Sequence, residues 1–149
     1  MTPAQHIVAS TATSTFFYYL TQSWPGTVVC FLSGILIDLD HVLDYWIFKR
    51  KISLSFKELD NFCTEDKSGK IFLILHSYEL MFILWIVSAY FKWPTEWLGA
   101  LYGMSVHLLC DQIGNPVYPP AYFLFYRWKI GFPKAVFFRD YFVKEFRRT

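Results

Sequence analysis

The sequence predicts an all-α protein: one domain over residues 1–149, built as a bundle of about five apolar helices and embedded in a membrane. The 149 residues are 54% hydrophobic and 21% aromatic but only 17% charged, whereas a soluble domain is about 25% charged. The longest apolar runs approach the length that crosses a hydrocarbon core. Residues 1–48 contain no Lys or Arg, and the basic residues flank the apolar runs, as in the cytoplasmic loops of membrane proteins.

Composition also argues against several other classes of protein. The formal net charge of +2 is small, and no basic stripe accompanies a nucleic-acid-reading motif, so we expect no nucleic-acid partner. The three cysteines are widely spaced without a CxxC motif, which argues against a disulfide scaffold and a cysteine zinc site. The expected partner is a membrane lipid or a lipid-linked molecule, and the oligomeric state stays open.

The first half of the chain predicts two long helical segments. Thr2 can cap a first helix that runs to about Leu20, with Pro3 at its first position. A turn at residues 24–26 precedes a second apolar run, which continues past the sequence Asp-Leu-Asp-His at 38–41 to about Phe48. Lysine and arginine then follow, as is favourable at a helix C-terminus.

The second half predicts a loop, two helices and a final segment. Residues 52–69 read as a loop with one short helical turn at 56–62, followed by an apolar helix over residues 71–91. That run would extend about 31 Å at 1.5 Å per residue. Thr95 can cap a further helix over 96–113, which Gly-Asn-Pro ends. A basic aromatic segment occupies about 119–149 and suits an anionic lipid surface.

Ionisable residues inside the apolar runs are the most informative feature. Every histidine of the chain lies in or beside such a run, together with several acids: His6, His41, His76, His107, Asp38, Asp40, Asp44, Glu79 and Asp111. An unpaired charge in an apolar interior costs several kcal/mol. Because these runs contain no Lys or Arg, a divalent cation is the economical source of positive charge.

The spacings agree with a metal site. His76 and Glu79 are three residues apart, and His107 and Asp111 are four apart, so each pair would share a helix face. Asp38 lies three residues before His41, where a helix end would let ligands converge. Imidazole and carboxylate ligands suit zinc, with manganese or iron as alternatives. The predicted metal ligands are His6, Asp38, Asp40, His41, His76, Glu79, His107 and Asp111.

Short motifs in the order HxxxS at 6–10, GILIDLDH at 34–41, LHS at 75–77 and SVHLLCD at 105–111 resemble the YdjM-like family of inner-membrane, predicted metal-dependent hydrolases. The resemblance implies a helical membrane protein whose His and Asp residues bind a divalent metal. His107-x-x-x-Asp111 is also similar to one metal-binding helix of the zinc-dependent phospholipase C and P1-nuclease group, which implies phosphoester hydrolysis. The chain departs from the family where a His-Arg pair often precedes the Thr-His-Ser motif. Either Glu79 replaces that ligand, or the site holds fewer metals than in the family.

Three hypotheses follow. The leading hypothesis is a membrane-bound metal-dependent hydrolase of a phosphoester or lipid-linked substrate, in which the metal lowers the pKa of bound water to about 7. Asp40 or Glu79 would be its general base, whichever is not a ligand. The same residues would also suit a proton pathway in a small transporter subunit. The third hypothesis is a scaffold whose polar residues hydrogen-bond helices together.

Overall fold

A computed structural model describes residues 3–64, 69–115 and 117–138, and confirms the all-α fold. The described residues form seven α-helices and two short 3-10 helices, without a β-strand. The α-helices are α1 (Pro3–Thr21), α2 (Trp24–Leu36), α3 (Leu39–Lys49), α4 (Phe56–Thr64), α5 (Tyr78–Phe91), α6 (Thr95–Gly114) and α7 (Leu124–Lys129). The 3-10 helices cover Pro119–Tyr122 and Lys134–Phe137.

The contacts divide the chain into two compact units. Unit 1 comprises Met1–Ile37 and Tyr78–Asn115, and unit 2 comprises Asp38–Ser77 and Pro116–Thr149. Helices α1, α2, α5 and α6 therefore belong to unit 1, and α3, α4 and α7 belong to unit 2. The division does not test the expectation of a single domain, which stays a prediction.

Small residues let α2 and α6 of unit 1 meet backbone to backbone. A Cβ atom added to Gly99 would overlap the carbonyl oxygen of Gly26, and one added to Gly103 would overlap that of Cys30. Gly34 is equally confined, since its Cβ would lie 2.7 Å from Ser10 Oγ on α1. Glycine is therefore required at these crossings, as it is where helices approach closely in membrane bundles.

Polar and aromatic contacts complete the packing of unit 1. Ser33 Oγ donates a hydrogen bond to the carbonyl oxygen of Ala100 at 3.0 Å, which ties α2 to α6. Trp85 Nε1 donates to Ser105 Oγ at 3.0 Å, which ties α5 to α6. The chain thus joins α2, α5 and α6 by hydrogen bonds between small polar side chains and neighbouring helices, besides apolar contact.

Two helix starts differ from the prediction. Residues 24–26 are not a turn but the first turn of α2, because Ser23 is the N-cap and its Oγ accepts from Gly26 N at 3.2 Å. Pro25 fits there because the first helical turn needs no donor from it. Thr95 is the first residue of α6 rather than its cap, and Pro94 precedes it without a side-chain capping bond.

The predicted helix over residues 71–91 is wrong in its first third. Only Tyr78–Phe91 is helical, which is 14 residues, or about 21 Å. Residues 71–77 are not helical. Carboxylates of α3 and the guanidinium of α7 bind the backbone groups of this segment, so those groups do not enter a helix. The shorter helix falls below the hydrocarbon thickness of about 30 Å.

Aromatic rings form the core of unit 2. Tyr45 of α3 and Phe62 of α4 meet edge to face at 5.4 Å between ring centroids. Lys134 is buried against α4, with its Nζ 3.4 Å from the centroid of the Phe62 ring. The loop before α5 joins the C-terminal segment through Ile71 N, which donates to Phe132 O at 3.1 Å. Residues 139–149 of the predicted basic aromatic segment lie outside the described residues.

Membrane embedding stays a prediction. Within the described residues, one helical stretch, Trp24–Lys49, is long and apolar enough to cross a membrane by length and composition. A buried core helix or a signal sequence would satisfy the same criterion. This observation therefore does not establish the predicted set of about five membrane helices.

Candidate metal centre

The structure gathers six of the predicted site residues into two groups, one in each unit. The unit-1 group consists of His6, His107 and Asp111, and the unit-2 group consists of Asp38, His41 and His76. Within each group, one ligand atom of every member lies within 4.8 Å of those of the other two.

The unit-1 group is compact and almost completely buried. His6 Nε2 lies 3.3 Å from Asp111 Oδ1, and His107 Nε2 lies 3.5 Å from Asp111 Oδ2. The two imidazole rings are stacked, with centroids 4.0 Å apart. Helices α1 and α6 therefore bring two ring nitrogens to the two oxygens of one carboxylate.

The distances place both ring nitrogens beside one carboxylate. His6 Nε2 approaches one oxygen of Asp111, and His107 Nε2 approaches the other. Ring nitrogens and carboxylate oxygens are the ligand atoms of zinc sites that contain no cysteine.

The tautomer of His107 supports the same interpretation. His107 Nδ1 lies 2.7 Å from the carbonyl oxygen of Gly34, which can only accept, so Nδ1 is the donor. A neutral His107 then turns the lone pair of Nε2 toward the Asp111 carboxylate, and two electron-rich atoms face each other. A cation between them resolves this conflict, and a carbonyl on the second nitrogen is the usual partner of a metal-bound histidine.

Asn115 directly follows α6 and holds the Asp111 carboxylate in place. Asn115 Nδ2 donates to Asp111 Oδ1 at 3.0 Å and orients the carboxylate. Lys92 is the only Lys or Arg in the sequence of unit 1; it is exposed and precedes the start of α6, whereas Asp111 lies near the end of that helix.

The unit-2 group is more open. Asp38 Oδ1 lies 3.5 Å from His76 Nε2 and 3.8 Å from His41 Nε2. His76 is buried, whereas the side chains of Asp38 and His41 are 39% and 27% exposed. Asp38 directly precedes α3 and His41 lies in its first turn, so both residues lie at a helix end and are partly exposed.

Asp40 contacts both the backbone and the ring of His76. Its Oδ2 accepts from the backbone nitrogens of Leu75 at 2.6 Å and His76 at 3.3 Å, and it lies 3.5 Å from His76 Nδ1. This is the geometry of a carboxylate that orients a metal-binding histidine. Asp40 belongs to neither group of described ligands, so its geometry favours positioning His76 over ligation.

Asp44 and Arg127 hold the rest of the loop that carries His76. Asp44 Oδ2 accepts from Phe72 N at 2.7 Å and Leu73 N at 3.0 Å. Arg127 is completely buried, and its NH2 group donates to the carbonyl oxygens of Leu73 at 3.1 Å and His76 at 3.0 Å. Its NH1 group also donates to Phe72 O. The loop is therefore fixed through its own backbone.

Arg127 is the residue that sequence reasoning missed. The sequence places it in a basic aromatic run and so suggests a position at a lipid surface. The signal that points to it is the set of three aspartates at 38, 40 and 44 without a basic residue before residue 49. Such a set predicts that a distant arginine or a metal balances part of the charge.

Glu79 stands apart from the predicted site. It lies in the first turn of α5, and neither group of described ligands includes it. The prediction that Glu79 and His76 share a helix face is wrong, because His76 precedes the helix. Ser10, predicted beside His6, is buried on α1 against Gly34.

No family model, curated protein or solved structure matches the chain. The resemblance to the YdjM-like family therefore stays a prediction.

Proposed function

We propose that the protein is a membrane-bound, metal-dependent hydrolase that acts on a phosphoester or lipid-linked substrate. The observation that carries the proposal is the unit-1 group, in which the ring nitrogens of His6 and His107 lie 3.3 and 3.5 Å from the oxygens of Asp111 and are buried with it. Zinc is the expected metal because the ligands are imidazole and carboxylate, and manganese or iron are the alternatives.

The ligand chemistry of the two groups suits hydrolysis, because imidazole and carboxylate ligands are also those of catalytic zinc sites. A bound divalent ion there would supply an activated water at neutral pH and polarise the scissile phosphoryl or acyl oxygen.

The ligand side chains of the two groups differ in solvent exposure, so we propose different roles for the groups. The unit-2 group has two partly exposed ligands, Asp38 and His41, so substrate and water have access to it. Asp40 is buried and accepts a hydrogen bond from the backbone nitrogen of His76. We therefore propose that Asp40 positions His76. Glu79 stays the candidate general base from sequence, because its half-buried side chain is outside both groups.

The test is hydrolysis by the detergent-purified full chain, supplied with zinc or manganese, on a chromogenic phosphodiester and on a phospholipid. We expect metal-dependent turnover that falls to background in His107→Ala and Asp111→Asn. Glu96→Gln is the matched control, since Glu96 lies in the first turn of the same helix and belongs to neither group.

Equal turnover in Asp111→Asn and Glu96→Gln, or no turnover by metal-loaded protein, would contradict the proposal. Proton flux through liposomes by metal-free protein would favour the transporter hypothesis. Loss of folding in His107→Ala, without metal in the unchanged protein, would favour the scaffold.

A further inference from the structure

The four helices of unit 1 have aromatic residues concentrated at one end. Tyr19 ends α1, Trp24 begins α2, Tyr90 and Phe91 end α5, and Trp97 lies in the first turn of α6. All five side chains are exposed. They share one end because Gly26 of α2 abuts both Phe17 of α1 and Thr95 of α6. We call these five residues the aromatic belt.

The unit-1 group lies at the opposite end of the same helices. His6 is near the start of α1, and Asp111 is near the end of α6. Tyr19 is thirteen positions after His6, and Asp111 is fourteen positions after Trp97. Both distances are about 20 Å along a helix.

Between these two levels the helices carry no formal charge. Residues 7–21, 24–36, 80–91 and 97–110 contain no Asp, Glu, Lys or Arg. Large apolar side chains are exposed along this zone, among them Val8, Phe16, Val28, Phe82 and Ile86. Such a surface is larger in extent than the scattered apolar residues of a soluble protein.

The exposed hydroxyls in this zone are satisfied by their own helix. Thr11 Oγ1 donates to Ile7 O, and Thr15 Oγ1 donates to Thr11 O, both at 2.8 Å and both at exposed positions. Polar groups that face lipid have no water to bind and must find partners inside the protein. With these internal bonds, α1 can face lipid without leaving the two hydroxyl hydrogens unpaired.

We infer that unit 1 is embedded in a lipid bilayer with the aromatic belt at one interface and the unit-1 group in the opposite leaflet. Tyr and Trp concentrate at membrane–water interfaces, and a hydrocarbon core is about 30 Å thick. A separation of about 20 Å along the helices passes the midplane and ends below the headgroups of the far leaflet. This inference rests on the membrane part of the proposed function and not on the hydrolase part.

The test is sided labelling of single cysteines in cell membranes. Gln22→Cys reports the α1–α2 turn at the belt, and Gly114→Cys reports the exposed end of α6 beyond Asp111. The background carries Cys63→Ser and Cys110→Ser, and keeps Cys30, which is completely buried. A membrane-impermeant maleimide is applied to spheroplasts and to inverted vesicles from the expressing cells.

We expect each reporter to react at least ten-fold faster in one preparation, and the two reporters to prefer opposite preparations. Lys92→Cys, in the α5–α6 turn, should behave as Gln22→Cys does. The background protein without a reporter should stay unlabelled. Labelling of both ends in the same preparation, equal labelling in both preparations, or recovery of the chain in the soluble fraction without detergent would overturn the inference.

The same samples separate the two proposals. Opposite labelling in protein that binds no metal would keep the bilayer orientation and refute the hydrolase. Metal-dependent hydrolysis by protein labelled from one side only would keep the hydrolase and refute the orientation.

Discussion

The two ligand groups are built in different ways. The unit-1 group lies on the regular helices α1 and α6, of which α6 meets α2 backbone to backbone at glycines, and all of its members are buried. The unit-2 group depends on a non-helical loop, which carries His76 and is fixed by Asp40, Asp44 and Arg127. The first group owes its geometry to helix packing and the second to hydrogen bonds with backbone groups, so different substitutions should damage each.

The largest effect should come from Arg127→Met. The change removes the donors for Phe72, Leu73 and His76 carbonyl oxygens in a fully buried position. Removing one side of a buried charged network costs about 3–5 kcal/mol. Chemical denaturation in detergent measures this loss in the free energy of unfolding. Lys129→Met is the control, because Lys129 is an exposed basic residue on the same helix. Equal stability of the two variants would show that the loop does not depend on Arg127.

Gly103→Ala should have the next largest effect, in unit 1. The added methyl group meets the carbonyl oxygen of Cys30, and overpacking of this kind costs about 1–3 kcal/mol. Gly114→Ala, at the exposed end of the same helix, should change stability little. If both variants unfold at the same denaturant concentration, the backbone contact between α2 and α6 is not needed for stability.

Asp40→Asn should weaken metal binding by the unit-2 group without unfolding the loop. The amide keeps the shape but loses the charge that orients His76, and such changes cost about 10–100-fold in affinity. Zinc titration in a His107→Ala background isolates this group. Glu58→Gln is the control because Glu58 is a carboxylate of unit 2 outside the group. An unchanged zinc affinity in Asp40→Asn would assign Asp40 no role in positioning His76.

Glu79→Gln should have the smallest effect on metal binding. Glu79 belongs to neither group, so metal content and zinc affinity should equal those of the unchanged protein. A lower metal content would restore Glu79 to the ligand set that the sequence suggested, and lower turnover at full metal content would assign it the general base.

The helical parts of the molecule could be predicted from the sequence for a physical reason. His107 and Asp111 meet because residues four apart share a helix face, and α1 ends within one residue of the predicted end. The break at Asp38 also follows from its sequence, since two aspartates and a histidine interrupt an apolar run. Local spacing determines all three features.

The loop before α5 could not be predicted in the same way. Residues 71–77 are as apolar as the helix that follows, so periodicity and length favour a longer helix. What prevents it is a set of side chains far away in the chain: Asp40, Asp44 and Arg127 bind the backbone groups of Phe72, Leu73 and His76. Partners 28 to 55 residues away leave no local pattern.

The divalent metal content of the detergent-purified full chain tests the central claim most directly, measured beside the His107→Ala and His76→Ala variants. We expect at least one zinc, manganese or iron ion per chain, with lower content in at least one of the two variants because each loses a ligand from a different group. Protein that is metal-free and takes up neither zinc nor manganese on addition, or the same content in all three proteins, would contradict the assignment of these histidines and aspartates as a metal centre.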